Sequence, residues 1–190
     1  MTCATFLFAI LALLMAPGPT NTLLALAGAQ QGWQRALRLI PAEMLGYLAT
    51  VPLLAWLGAT SLARWPLAAP ALKGAAAVWV LYLAVRLWRA PGRQGGPARV
   101  TRRSVGLTTL LNPKALVVGL ILIPAPGRPD FLPRLALFFL VVPLVALVWS
   151  GGGALAGRHG SPARTRLIQR LASICLMVLS ASLTAAVLRA

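Results

Sequence analysis

Long apolar runs, separated by short polar or basic connections, dominate the chain. An α-helix needs roughly 20 such residues to cross the hydrocarbon layer of a bilayer. With 59% hydrophobic and only 11% charged residues, the composition is typical of an integral membrane protein rather than of a soluble domain. The pattern predicts an all-α membrane protein, a single transmembrane domain over residues 1–190, with six transmembrane helices at about Cys3–Ala29, Leu39–Gly58, Leu72–Leu87, Val105–Ile123, Leu135–Leu155 and Leu167–Leu188.

Proline interrupts two of these helices near their middles. The first helix is broken by the run Pro17, Gly18, Pro19, Thr20, Asn21, and the fourth by Asn112, Pro113, Lys114. A proline removes a backbone hydrogen bond, and lipid cannot replace it. Such a break is tolerated only where protein or a water-lined cavity satisfies the freed groups, so these eight residues are the predicted substrate-binding site.

Basic residues are distributed unequally between the two sides of the predicted bundle. Of the 18 Lys and Arg residues, 12 lie in or beside the connections after the first, third and fifth helices, five lie on the other side, and Lys114 lies within a span. Cytoplasmic connections carry the excess of basic residues in membrane proteins. The count therefore predicts that both termini are extracytoplasmic.

The same topology relates the two halves of the chain. Each half, about 1–95 and 96–190, contains three helices, so the second half enters the membrane in the opposite sense to the first. If the halves are related, they form an inverted repeat, and the two breaks occupy matching positions in the first helix of each half. Paired breaks of this kind are the usual sequence indication of a transporter site at the bilayer midplane.

Several short motifs resemble the lysine exporter superfamily, particularly its homoserine/threonine efflux branch. They are the Pro17–Asn21 run, Gln31-Gly32 after it, Leu72-Lys73-Gly74 with Tyr82-Leu83, and Leu111-Asn112-Pro113-Lys114-Ala115, in that order along the whole chain. The third and fourth helices depart from the family pattern at Ala75–Trp79 and Ile123–Pro126, which bears on the substrate. The resemblance implies a bacterial inner-membrane exporter of amino acids or related small molecules, driven by the proton gradient.

Lys114 and Glu43 are the ionisable residues that the pattern places inside spans. Lys114 lies near the centre of the hydrocarbon layer, where an ammonium costs on the order of 3 kcal/mol, so it is expected to face the bundle interior. There it would meet a substrate carboxylate or Glu43. The alternative is that it caps carbonyls freed by Pro113 or extends to an interface.

Glu43 shares one face of the second helix with Tyr47 and Thr50. A carboxyl group partly removed from water exchanges a proton more readily near neutral pH, which suits the proton-coupling residue of an antiporter. The alternative is a glutamate in the first helical turn that pairs with Arg35 or Arg38 near the lipid headgroups.

Other classes of function fit the sequence less well. The net charge is +16, and the basic residues flank apolar runs without interleaved aromatic residues. This placement favours anionic membrane lipid over nucleic acid as a partner. No metal site or cofactor is expected, because His159 stands alone, and no paired carboxylates or nucleophile with a base indicate an enzyme. A homo-oligomer is compatible with the sequence. The alternative function is a membrane scaffold whose basic loops bind anionic lipid or a partner protein.

Overall fold

The computed structural model describes residues 2–60, 68–89, 99–157 and 162–188. His159 lies outside these ranges, and so do four of the basic residues counted above: Arg64, Arg93, Arg158 and Arg189. Within the described ranges all regular secondary structure is helical. The elements are α1 (Cys3–Met15), α2 (Pro19–Gln31), α3 (Trp33–Leu37), α4 (Ile40–Thr60), α5 (Ala68–Arg89), α6 (Arg102–Leu110), α7 (Pro113–Val117), a π-helical segment (Val118–Leu122), α8 (Phe131–Gly157) and α9 (Pro162–Leu188).

Both predicted breaks are present in the structure. The axes of α1 and α2 differ by 60°, and those of α6 and the helix that starts at Pro113 differ by 41°. Pro19 and Pro113 each occupy a first helical position, where the missing N–H is not needed. The chain therefore stops and restarts a helix at each break.

The helices are those of a membrane-embedded protein. By length and apolar composition, Trp33–Gly58 and Phe131–Gly157 can each cross a bilayer, and the total rises to four if each bent pair counts as one span. Large apolar side chains also point outward from the bundle: Leu45 and Leu140 are each 65% exposed, and Ile121 is 73% exposed. Exposing these apolar side chains to water would be costly, whereas lipid solvates them.

Close backbone contacts join α2 to α8. A methyl group added at Gly153 would lie 1.9 Å from the carbonyl oxygen of Ala25, and one added at Gly28 would lie 2.1 Å from that of Ser150. Small residues permit this approach in membrane helices, where dispersion contacts replace the hydrophobic effect as the source of helix association. Of the three consecutive glycines in α8, Gly153 therefore packs against α2.

Hydroxyl groups join α9 to α5. Ser173 Oγ donates to the carbonyl of Ala84 at 2.6 Å, and Ser180 Oγ donates to that of Ala77 at 2.9 Å. Thr184 Oγ1 donates within its own helix, to the carbonyl of Ser180. These hydroxyls serve packing, and they lie outside the region where the two breaks meet.

The glycines of α8 allow a matched test of the close contact with α2. Gly153→Ala should lower the free energy of unfolding by about 1–3 kcal/mol, because the added methyl group overlaps the backbone of α2. Gly152→Ala is the control, since its added methyl group meets nothing within 4 Å. Unfolding in mixed micelles measures both. Equal stability of the two variants would contradict the packing described here.

Candidate functional site

The first break leaves backbone carbonyls in need of donors. α1 ends at Met15, and the backbone is extended at Ala16 (ψ 143°) and Gly18 (ψ 169°), so the N–H groups of Gly18 and Thr20 do not return to the carbonyls four residues earlier. The carbonyls of Leu14 and Ala16 therefore need donors from elsewhere in the protein, because lipid supplies none. They form the negative end of the α1 dipole.

Two side chains bind both of these carbonyls. Asn21 Nδ2, from the first turn of α2, donates to Leu14 O at 2.7 Å and to Ala16 O at 3.0 Å. Lys114 Nζ, from α7 in the other half of the chain, donates to Leu14 O at 3.0 Å and also to Ala16 O. A cation is the favoured partner for the C-terminal end of a helix dipole.

The lysine reaches the first break because Gly18 leaves room for it. A methyl group added at Gly18 would lie 2.9 Å from Lys114 Cε and 3.1 Å from Nζ. Gly18 itself is extended, with φ −164° and ψ 169°, a conformation open to any residue. Its role here is therefore spatial, since any larger side chain would displace the ammonium group.

Asn112 makes the reciprocal contact from the second break to the first. Its Oδ1 accepts from the backbone N–H of Lys114 at 3.0 Å, which caps α7. Its Nδ2 donates to Thr20 Oγ1 at 3.0 Å and to Tyr47 Oη at 3.2 Å. The asparagine therefore fixes its own helix and contacts both α2 and α4.

A chain of hydroxyl groups continues from this contact. Thr109 Oγ1 donates to the carbonyl of Val105 at 2.9 Å, so in the 3.3 Å contact between the two threonine hydroxyls Thr20 is the donor. Thr20, Thr109 and Asn112 are at most 3% exposed. We call the group Leu14, Ala16, Thr20, Asn21, Thr109, Asn112 and Lys114 the break cluster.

Glu43 lies beside the break cluster without joining it. It is 3% exposed in the first turn of α4, one turn before Tyr47, and its Oε2 has no hydrogen-bond partner among the described residues. Its charge and that of Lys114 act on one another. A buried carboxylate that lacks a partner is costly, so this position favours a group that can become neutral.

The structure bears on three of the sequence-based interpretations of these charges. Lys114 caps the carbonyls of the opposite break, not those freed by Pro113. Among the described residues no ion pair within 4.0 Å joins Lys114 to Glu43, although their charges interact, so the expected meeting of Lys114 with Glu43 or with a substrate carboxylate stays a prediction. The alternative pairing of Glu43 with Arg35 or Arg38 is also absent there, because the carboxyl group faces inward.

The eight residues predicted from the breaks divide into two groups. Thr20, Asn21, Asn112 and Lys114 come together through side-chain bonds, and Gly18 lies against the lysine. Pro17, Pro19 and Pro113 act on the backbone only, by ending one helix and starting the next. The side chains of the two breaks thus contact one another, as the pairing of the breaks in the sequence predicted.

Sequence reasoning did not assign Tyr47 and Thr109 to the site. The sequence places Tyr47 one turn after Glu43, on the same face of the helix. That spacing was a sufficient signal to assign Tyr47 to the site. Thr109 precedes Asn112 by three positions, which also places it on the same face, but a threonine in a helix usually bonds its own backbone. It does so here while still contacting Thr20.

Two cavities adjoin the bundle. One of about 830 Å³ lies between α2, α3 and α8 and includes Gly28, Trp33 and Gly151. Another, of about 440 Å³, lies between the end of α4 and the π-helical segment and includes Gly58, Gly119 and Asp130. The residues of the break cluster line neither of them. No group of three metal-ligating side chains occurs among the described residues.

Searches of family models, characterised proteins and solved structures found no match for this chain.

The shared carbonyls predict a specific energetic coupling. Asn21→Ala and Lys114→Met should each cost about 1–2 kcal/mol of unfolding free energy, because the other donor still holds Leu14 O and Ala16 O. The double variant should cost more than the sum, since it leaves both carbonyls without a donor.

Thr184→Val provides the control for this cycle. Thr184 Oγ1 bonds the carbonyl of Ser180 within α9, away from the breaks, so its loss should add to that of Lys114→Met without coupling. Chemical unfolding in micelles measures all the variants. Additive losses for Asn21→Ala with Lys114→Met would contradict shared capping.

Proposed function

We propose that the chain is a secondary transporter that exports amino acids or related small zwitterionic metabolites by proton antiport. The observation that carries this proposal is the buried contact between Lys114 and the carbonyls of Leu14 and Ala16. A cation within a membrane bundle is costly and usually marks a substrate or ion pathway. The resemblance of the break motifs to the lysine exporter superfamily supports the same class of function.

The chemistry of this contact matches a zwitterion. An amino acid entering the break cluster could place its carboxylate on the ammonium of Lys114 and its own ammonium on the carbonyls of Leu14 and Ala16. The substrate would thereby replace a bond that holds the two halves together. Binding of the substrate and separation of the two halves would then be a single event, as alternating access requires.

Glu43 supplies the proton-coupling step in this proposal. Its carboxyl group, which is buried and whose Oε2 has no hydrogen-bond partner among the described residues, can take up a proton from one side and release it to the other as the halves move. The charge of Lys114 would bias that exchange, since the two charges interact. A bound substrate carboxylate would weaken the attraction between them and favour the protonated acid.

We further propose six spans in two inverted three-helix repeats, about residues 1–95 and 96–190. Equivalent residues recur at a constant separation of 91 positions: Asn21 and Asn112, Gly28 and Gly119, Tyr47 and Phe138, Pro52 and Pro143, Ala55 and Ala146. The first of these pairs belongs to the two breaks, and the two prolines lie inside α4 and α8. Such agreement supports a common origin of the halves.

The packing of the helices also agrees with this repeat. Gly28 brings α2 against α8, while its counterpart Gly119 brings the π-helical segment against α4, within 3.0 Å of Val51 O for an added methyl group. The rings of Tyr47 and Phe138 contact one another with centroids 5.2 Å apart. Equivalent residues meet in this way when they lie on a pseudo-twofold axis.

The same proposal places the protein in a bacterial inner membrane, with both termini extracytoplasmic, as the distribution of basic residues indicates. The scaffold alternative makes a contrasting prediction. It requires that neutralising Arg99, Arg102 and Arg103 abolishes function, and that the buried charges are dispensable.

Export assays test the proposal with matched acid variants. Glu43→Gln should abolish uncoupler-sensitive efflux of a neutral amino acid such as threonine or homoserine, because the amide cannot carry a proton. Asp130→Asn is the control, since Asp130 is the chain's other acid and pairs with Arg128 and Arg134 at the surface. This control should retain coupled efflux.

Lys114→Ala should lower efflux at least tenfold, with the membrane abundance of all variants matched. The assays need a strain that lacks its own exporters, with and without a proton uncoupler. Wild-type efflux in both Glu43→Gln and Lys114→Ala would refute the proposed mechanism. Preferred export of lysine or arginine would refute the substrate class.

A further inference from the structure

A cavity of about 330 Å³ opens between α5 and the start of α6, away from the break cluster. Arg86 and Arg103 line it, together with the hydroxyl-bearing residues Thr101 and Ser104 and the aromatic residues Trp79 and Tyr82. A smaller cavity adjoins it through Arg86 and Ser104 and adds Arg99. Three arginines thus converge on the first turn of α6.

No side chain of this protein can neutralise these arginines. The chain contains only two acidic residues. Asp130 lies between Arg128 and Arg134, 2.9 Å from the latter, and Glu43 is buried beside the break cluster. Arg86 and Arg103 therefore repel one another in a site whose counter-ion must come from outside the chain.

The first turn of α6 adds to the positive field of this cavity. Thr101 and Ser104 form a reciprocal capping box, with Ser104 N donating to Thr101 Oγ1 at 3.2 Å and Thr101 N donating to Ser104 Oγ at 3.0 Å. The capping bonds hold the start of the helix in place. Its positive dipole end consequently points toward the same region as the guanidinium groups.

Aromatic residues form the lipid-facing wall of the cavity. The rings of Trp79 and Tyr82 lie 5.5 Å apart, and Tyr82 is 53% exposed. Trp79 Nε1 donates to Thr108 Oγ1 at 3.0 Å, which fixes its ring against α6. Tryptophan and tyrosine favour the depth of the lipid headgroups and glycerol backbone, so the wall and the arginines together match a phospholipid.

We propose that this cavity binds the phosphate of an anionic phospholipid. Arg86 and Arg103 bind the phosphate oxygens, and the ring of Tyr82 lies along the glycerol and upper acyl region. Basic pockets between helices on the cytoplasmic side of a membrane have the chemistry that such headgroups require. The site is separate from the proposed transport pathway, and it would exist whatever the chain carries.

Lipid retention measures the proposed site directly. Protein purified in mild detergent is mixed with phosphatidylglycerol or phosphatidylcholine, and bound lipid is counted by native mass spectrometry. The wild type should retain phosphatidylglycerol preferentially. The double variant Arg86→Gln with Arg103→Gln should bind it about 30-fold more weakly, because each arginine near a membrane surface contributes a little over fivefold in affinity, about fivefold for one and about 30-fold for two.

The control removes the same charge from the same two helices. Arg89→Gln with Arg102→Gln changes one arginine of α5 and one of α6 that do not line the cavity. This variant should keep the preference for phosphatidylglycerol. The variant Arg86→Lys with Arg103→Lys keeps both positive charges. It should bind phosphatidylglycerol more tightly than the glutamine pair does. That difference would show that the glutamine pair loses binding through its charge and not through a failure to fold.

Three results would overturn the proposal. They are equal retention of the two lipids by the wild type, an equal loss in the cavity pair and the control pair, and full displacement of phosphatidylglycerol by millimolar inorganic phosphate. The second would indicate only a diffuse positive surface. The third would indicate a site for the free anion.

Discussion

The structure depends on two backbone carbonyls that an interrupted helix cannot satisfy. The chain becomes extended at Ala16 and Gly18, so the N–H groups that would complete the last turn of α1 do not reach these carbonyls, and lipid supplies no donor in their place. Leu14 O and Ala16 O are instead held by Asn21 and Lys114. The lysine comes from the other half of the chain, so repairing the first helix also ties the halves together.

This constraint explains why the polar residues of the bundle lie together. Lys114 must reach α1, and its helix must therefore start close to the first break, where Asn112 caps it and contacts Thr20. Gly18 provides the space for the lysine side chain. The buried charge is tolerable because a helix dipole and two carbonyl oxygens solvate it. A contact of this kind is stable enough to hold a conformation, yet a zwitterionic ligand carries the groups needed to replace it.

Sequence pattern predicted the helices and the meeting of the breaks, but not the partner of each charge. Proline spacing and apolar length determine where helices stop, so α1, α2 and α6 were predictable within a few residues. Whether Lys114 binds Glu43 or a carbonyl depends on side-chain reach across two halves, which periodicity does not describe. Likewise, the choice of Gly153 rather than Gly152 as the contact with α2 depends on the rotation of α8 about its axis.

Cross-linking across the two breaks tests the central claim, that they contact one another, most directly. In a chain with Cys3 and Cys175 replaced by serine and a protease site inserted between residues 90 and 98, Thr20→Cys with Thr109→Cys places thiols where hydroxyl oxygens lie 3.3 Å apart. Iodine in the membrane followed by proteolysis should leave the halves joined, and a reductant should separate them. The pair Thr20→Cys with Thr108→Cys should not join them, because Thr108 faces Trp79. Separated halves for the Thr109 pair, with both thiols intact, would contradict the account.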